Sequence, residues 1–161
     1  MADLRRIFIV VLLMAWLIPP GVEGQARESA HVPDRFEFFE GHAYMGAEWV
    51  KWEYERLVFV KRVADMKGKG SFVETKEELS PTVEAWQRFW ASIDSLGVWQ
   101  WKPEYSDPKR DGPDGESWAL VLQTGGKQLK SKGYNAVPNG YGEFREAVHK
   151  LMEDARQQKR D

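Results

Sequence analysis

No cysteine occurs in the 161 residues. Its absence removes thiol catalysis, disulfide exchange and cysteine-based zinc sites, and leaves the fold to be held by its core alone. Histidine is scarce as well. His31, His42 and His149 are the three in the chain, and no second histidine stands three or four residues from any of them, as a helical metal site would require. Each reads as a solvent-facing side chain, so no metal site and no cofactor is expected. Charge of one sign is missing too. The 23 Lys and Arg nearly balance the 25 Asp and Glu, which denies the chain the basic face of a nucleic-acid binder. There is no Gly-x-Ser-x-Gly elbow, no phosphate-cradling glycine loop and no dinucleotide fingerprint. Long apolar runs are also lacking: the longest, Ile7 to Ile18, is too short to span a bilayer.

That apolar run follows a short basic start, Met1 to Arg6, and ends at Pro19, Pro20 and Gly21. Small residues, Gly24 and Ala26, follow at cleavage spacing. Residues 1–26 therefore read as a secretory signal peptide, with an uncleaved N-terminal anchor as the alternative. The membrane would be met only in transit. Residues 27–34 read as a disordered lead-in, residues 35–155 as one domain, and residues 156–161 as a frayed charged tail. The domain is long enough to bury roughly two thirds of its unfolded surface. Export without disulfides suits a bacterial periplasmic or secreted protein.

Tryptophan is what the chain has in quantity, with eight, and four of them fall within residues 80–101. Ser80 reads as an N-cap and Pro81 as the first helical residue. Val83, Trp86, Trp90, Ile93 and Leu96 recur at spacings of three and four, with Phe89 beside them, so residues 80–96 read as an amphipathic helix. Gly97 closes it. Val98-Trp99-Gln100-Trp101 then turns to a period of two, the mark of a strand with both tryptophans on one face. Trp86 and Trp90 read as core; the face of Trp99 and Trp101 reads as readily open as packed.

Elsewhere Phe36 and Phe38 alternate with Glu37 in a first strand, and Glu40-Gly41-His42 reads as a turn. The 48–63 segment changes phase after Arg56, which requires either a bulge in one strand or a tight turn between two. Met66 to Gly70 reads as a turn. Ser71 to Leu79 is a further strand with Phe72 or Val73 facing in. Lys102 to Glu116 reads as a long loop and Ser117 to Gln123 as a buried strand. Thr124-Gly125-Gly126-Lys127 is a hairpin turn. The returning strand from Gln128 carries a polar row typical of a protected edge. Tyr141, Phe144, Val148, Leu151 and Ala155 mark a last helix over 141–155. A shift that lays Trp86 on Phe144, Trp90 on Val148 and Ile93 on Leu151 suggests two βββα halves. The expected fold class is α+β: a mainly antiparallel sheet with two helices packed on one face.

Residues 80–151 also carry a recurring pattern. It comprises Pro81, Thr82 and Trp86; Trp99 and Trp101; Asp114, Gly115 and Trp118; Gly133, Asn135, Ala136 and Pro138; and Phe144. In this the chain resembles an uncharacterised family of small α+β proteins, over about half its length, with Glu40-Gly41 and Met45-Gly46-Ala47 extending the match. The resemblance implies a fold and no activity.

The stretch Asp107 to Glu116 offers oxygens to calcium, but its spacing is not that of an EF-hand, and Lys109 and Arg110 oppose a cation. Turn-forming Asp-Gly pairs account for the same residues. Asn135 reads first as a turn cap; with Tyr134 it would otherwise flank a groove with Trp101 and Trp118. The binding candidates are thus Trp99, Trp101, Trp118, Tyr134 and Asn135. Together these features suggest an exported, non-catalytic binding or interaction domain whose partner is a glycan or another protein. The competing reading is a carboxylate-dependent glycan hydrolase, though no acid pair stands out in the sequence.

Overall fold

A computed structural model describes residues 32–42, 44–65, 71–110 and 115–160. The signal-peptide reading, His31, the turn over 66–70 and Asp114 of the recurring pattern lie outside these residues. The described part is α+β, with a seven-stranded, mostly antiparallel sheet and two helices. The strands are β1 (Arg35–His42), β2 (Gly46–Glu53), β3 (Arg56–Ala64), β4 (Phe72–Leu79), β5 (Glu104–Ser106), β6 (Glu116–Thr124) and β7 (Lys127–Tyr134). The helices are α1 (Val83–Ser95) and α2 (Tyr141–Gln158). The sheet runs β4-β3-β2-β1-β6-β7-β5, so β1 is its central strand.

The phase change in the 48–63 segment is a two-residue hairpin. Tyr54 and Glu55 both take positive φ, 49° and 60°, and Trp52 pairs with Leu57. Such a turn pairs an even position with an odd one, so the buried parity must change across it. Gly125 and Gly126 make the same kind of turn between β6 and β7, as expected.

Several expectations are corrected. Residues 40–42 are strand, held in register by β2 and β6 on both sides. Val98–Gln100 is a turn of 3-10 helix, not a strand. Gly97, at φ 64°, stops α1, and the Gln100 and Trp101 amides bond back to Gly97 and Val98. Four residues of alternation are too few to tell a strand from a single tight turn. The N-cap is Thr82, whose hydroxyl accepts from the Ala85 amide at 3.1 Å; Ser80 instead accepts from Arg56 across the β3–β4 edge. Phe72 and Val73 are both exposed, and Leu79 is the residue β4 buries. The loop after Trp101 contains β5, which pairs in parallel with β7 and so covers part of the expected edge. α2 also runs further than expected, to Gln158, and buries Met152 beside the predicted stripe.

The core is aromatic. On β1, Phe36 meets Trp86 and Phe89 of α1, at ring distances of 6.2 and 5.3 Å. Two residues on, Phe38 meets Tyr141 and Phe144 of α2. Trp52 of β2 lies edge-on to Trp86, and Trp86, Trp90 and Trp99 follow one another with nearly parallel rings. Trp86 is 1% exposed, and its indole N–H is buried without a hydrogen-bond partner. Edge-to-face rings gain from their quadrupoles beyond the area they bury. Truncating Trp86 therefore removes the centre of the α1 contact. Trp86→Ala is expected to lower unfolding free energy by about 3–5 kcal/mol in urea titration. Trp86→Phe, which also removes the unpaired N–H, is expected to cost less than half as much.

Candidate functional site

The five residues singled out in the sequence differ in burial and in partners. Trp101 and Trp118 are 8% and 3% exposed and belong to the core. They meet each other at 5.9 Å, and each contacts Tyr141. Neither ring has a face free to stack on a ligand. Trp99 is half-buried. Its indole donates to Asp94 Oδ1 at 2.8 Å, and the Lys127 ammonium lies 5.4 Å from its ring centre. Tyr134 and Asn135 grip the start of β6. The Tyr134 hydroxyl accepts from the Gly115 amide, and Asn135 Oδ1 accepts from the Glu116 amide at 2.9 Å. The Asn135 amide in turn donates to the Glu116 carbonyl. Asn135 adopts φ 53°, a left-handed conformation that asparagine tolerates better than most residues.

This region is a packing lock. Trp118 Nε1 donates to the Ala136 carbonyl at 2.8 Å, directly over Gly133. A Cβ on Gly133 would collide with both the Trp118 indole and the Ala136 carbonyl. The lock continues through Tyr141, whose hydroxyl donates to Glu40 Oε1 at 3.2 Å, while Arg145 holds the other oxygen of Glu40 at 2.8 Å. Gly115, Trp118, Gly133, Asn135 and Ala136 of the recurring pattern thus hold β6, β7 and the start of α2 together.

The face of the sheet opposite Phe36 and Phe38 is arranged differently. Strand register places Lys132, Ala119, Phe39, Trp49, Val60 and Lys76 side by side in one row across β7, β6, β1, β2, β3 and β4. The row spans about 24 Å at ordinary strand spacing. Its four central residues are half-buried and its two lysines exposed. The Phe39 and Trp49 rings meet at 5.2 Å. Two hollows, of about 350 and 370 Å³, open beside the row. Each includes Trp49 and is lined by strand residues alone.

Phe39 and Trp49 were not among the residues chosen from the sequence. The signal was present as broken alternation. Phe39 follows Phe38, Trp49 precedes Val50, and Val58 and Val60 interleave with Leu57 and Phe59. A strand with one wet face keeps polar residues at every second position; these strands are apolar on both. Glu53 and Glu74, the acids lining the larger hollow, lie opposite Arg56 and Arg62. Along β3 that separates their backbones by about 20 Å.

No family model matches the chain, and no curated protein matches it. Among the described residues no group of three or more His, Asp or Glu side chains is placed to hold a metal, and no helix is long and apolar enough to cross a membrane.

Two predictions come from the lock. Gly133→Ala is expected to destabilise the protein by more than about 2 kcal/mol, whereas Gly142→Ala, whose added methyl meets nothing on α2, stabilises it by about 0.4–1 kcal/mol. Thermal unfolding of the two variants separates these effects. Burial, and then the neighbouring Glu40 carboxylate, raise the Tyr141 phenol far above its ordinary pKa of 10.0. The folded state keeps this proton where the unfolded chain releases it, so the contribution is intact below pH 10 and declines as pH rises beyond it. Stability measured from pH 9 to 11 is expected to fall more steeply in the wild type than in Tyr141→Phe.

Proposed function

We propose that this protein is an exported, non-catalytic binding domain of the bacterial envelope or exterior, and that its ligand lies across the uncovered face of the sheet. We also read both helices as packed on the other face, and the chain as two unequal strand-and-helix halves. The observation that carries the proposal is the row Lys132, Ala119, Phe39, Trp49, Val60 and Lys76. An apolar, ring-bearing band offers stacking in the middle, and at its ends stand the exposed ammonium groups of Lys132 and Lys76, whose surface pairs with Glu104 at 3.6 Å and Glu78 at 2.8 Å an acidic ligand would displace. A glycan chain uses both: sugar rings stack on aromatics, and acidic substituents meet ammonium groups. A protein segment is the other partner of this chemistry. Half-buried Trp99, stacked on Trp90 with Lys127 over its ring, lies on the helix side and takes no part in this surface. Trp101, Trp118, Tyr134 and Asn135 support the surface from within. The glycan-hydrolase reading gains nothing from the separation of Glu53 and Glu74.

The test uses protein recovered from the periplasm or medium of an expressing bacterium, where loss of the N-terminal residues reports export. Thermal unfolding is followed with a panel of soluble and cell-wall oligosaccharides. A ligand present at a hundred times its dissociation constant is expected to raise Tm by several degrees. The double variant Phe39→Ser/Trp49→Ser is expected to fold and to lose that response. A response that survives in the double variant would place binding elsewhere and overturn the proposal.

A further inference from the structure

The smaller hollow differs in chemistry from the rest of the face. Gly41, Gly46 and Ala47 line its base, with the Phe39 ring lying over Gly41 and the small Ala47 side chain beside it. Gly41 pairs with Ala47 across β1 and β2, and a Cβ on Gly41 would press against the Phe39 ring and the Ala47 methyl. Phe39, Trp49 and Phe72 supply three aromatic walls. Arg62 is the one fixed charge of the lining, which includes no acid. The Arg62 guanidinium lies 4.4 Å from the Phe72 ring centre. Stacking of that kind occupies the flat face of a guanidinium and leaves its N–H edge free for a two-pronged bond to a carboxylate. Arg62 forms no ion pair among the described residues; it stands between the two hollows and lines the larger one together with Glu74, its cross-strand partner on β4. His42 lines the same space. Its Nδ1 accepts the Tyr44 amide at 3.3 Å, which leaves Nε2 as the proton-bearing nitrogen of the neutral ring.

We infer that this hollow is a binding pocket for an aromatic carboxylate: a flat ring held among Phe39, Trp49 and Phe72 over Ala47, with its carboxylate on Arg62. The size suits such a molecule, since about 350 Å³ lies in the lower range of small-ligand sites. The charge suits it as well, because an apolar lining with a single cation selects a single anion. The inference rests on the reading of this sheet face as the binding surface and names what one end of it takes. The acid is bound either as a free small molecule or as the end group of a larger ligand.

The experiment is a titration of the purified chain, followed by the indole N–H resonance of Trp49, which is assigned by its loss in Trp49→Phe. The probes are indole-3-acetate, its neutral amide, acetate, and indole-3-acetate coupled through its ring to a short oligosaccharide. The expected result is saturable binding of the acid, at least tenfold weaker binding of the amide, and none of acetate. Arg62→Gln should weaken the acid at least tenfold and leave the amide unchanged. Ala47→Leu, which fills the base, should abolish both. Tighter binding of the coupled probe than of the free acid indicates an end group; equal binding indicates a free ligand. Equal affinity for acid and amide, or an Arg62→Gln variant that binds as the wild type does, overturns the inference. If the acids fail while the oligosaccharide response still depends on Phe39 and Trp49, this pocket falls and the broader reading stands. If that response is also independent of the two rings, both fall.

Discussion

The fold depends on one strand and two phenylalanines. β1 lies at the middle of the sheet, paired along its length with β2 on one side and β6 on the other. Phe36 and Phe38, two residues apart, point the same way because side chains alternate along a strand. Phe36 anchors α1 and Phe38 anchors α2. Arg88 of α1 then reaches Asp154 of α2 at 2.6 Å, and Arg156 of α2 reaches Glu77 of β4. These exposed pairs trim the arrangement; burial of the rings is the larger contribution.

The same alternation turns Phe39 to the opposite side, where it meets Trp49. A chain without disulfides relies on its core, and here Phe36, Phe38, Trp86, Phe89, Trp101, Trp118, Tyr141 and Phe144 are the aromatics buried in it. Rings left on an outer sheet face contribute less to that core, since part of their surface stays in water. Their placement side by side, flanked by lysines, is why the face invites a functional reading while the buried tryptophans do not.

Local rules found most of the elements. Gly125-Gly126 marked its hairpin because a two-residue turn needs positive φ. Gly97 marked the end of α1 for the same reason. The parity change near Arg56 required a break in the strand, and the structure chose the tight turn over the bulge. The candidate site was less legible. Trp99, Trp101, Trp118, Tyr134 and Asn135 stood out by residue type, but type does not say which side of a sheet a residue occupies or what packs over it. Trp101 is buried because a 3-10 turn swings it under α2, and no short-range pattern encodes that turn. Phe39 and Trp49 each sit beside an apolar neighbour that belongs to the core, so neither stands out by pattern.

By itself, then, the sequence determined the class of the fold, the two helices, the Gly125-Gly126 hairpin and the aromatic nature of the core. Each of these follows from periodicity or from a φ value that few residues accept. Tertiary structure alone decided the strand order, the lock around Gly133 and the row from Lys132 to Lys76. Those depend on register between strands far apart in the chain. A shift of one residue in that register would exchange the two faces of the sheet while leaving every local pattern unchanged.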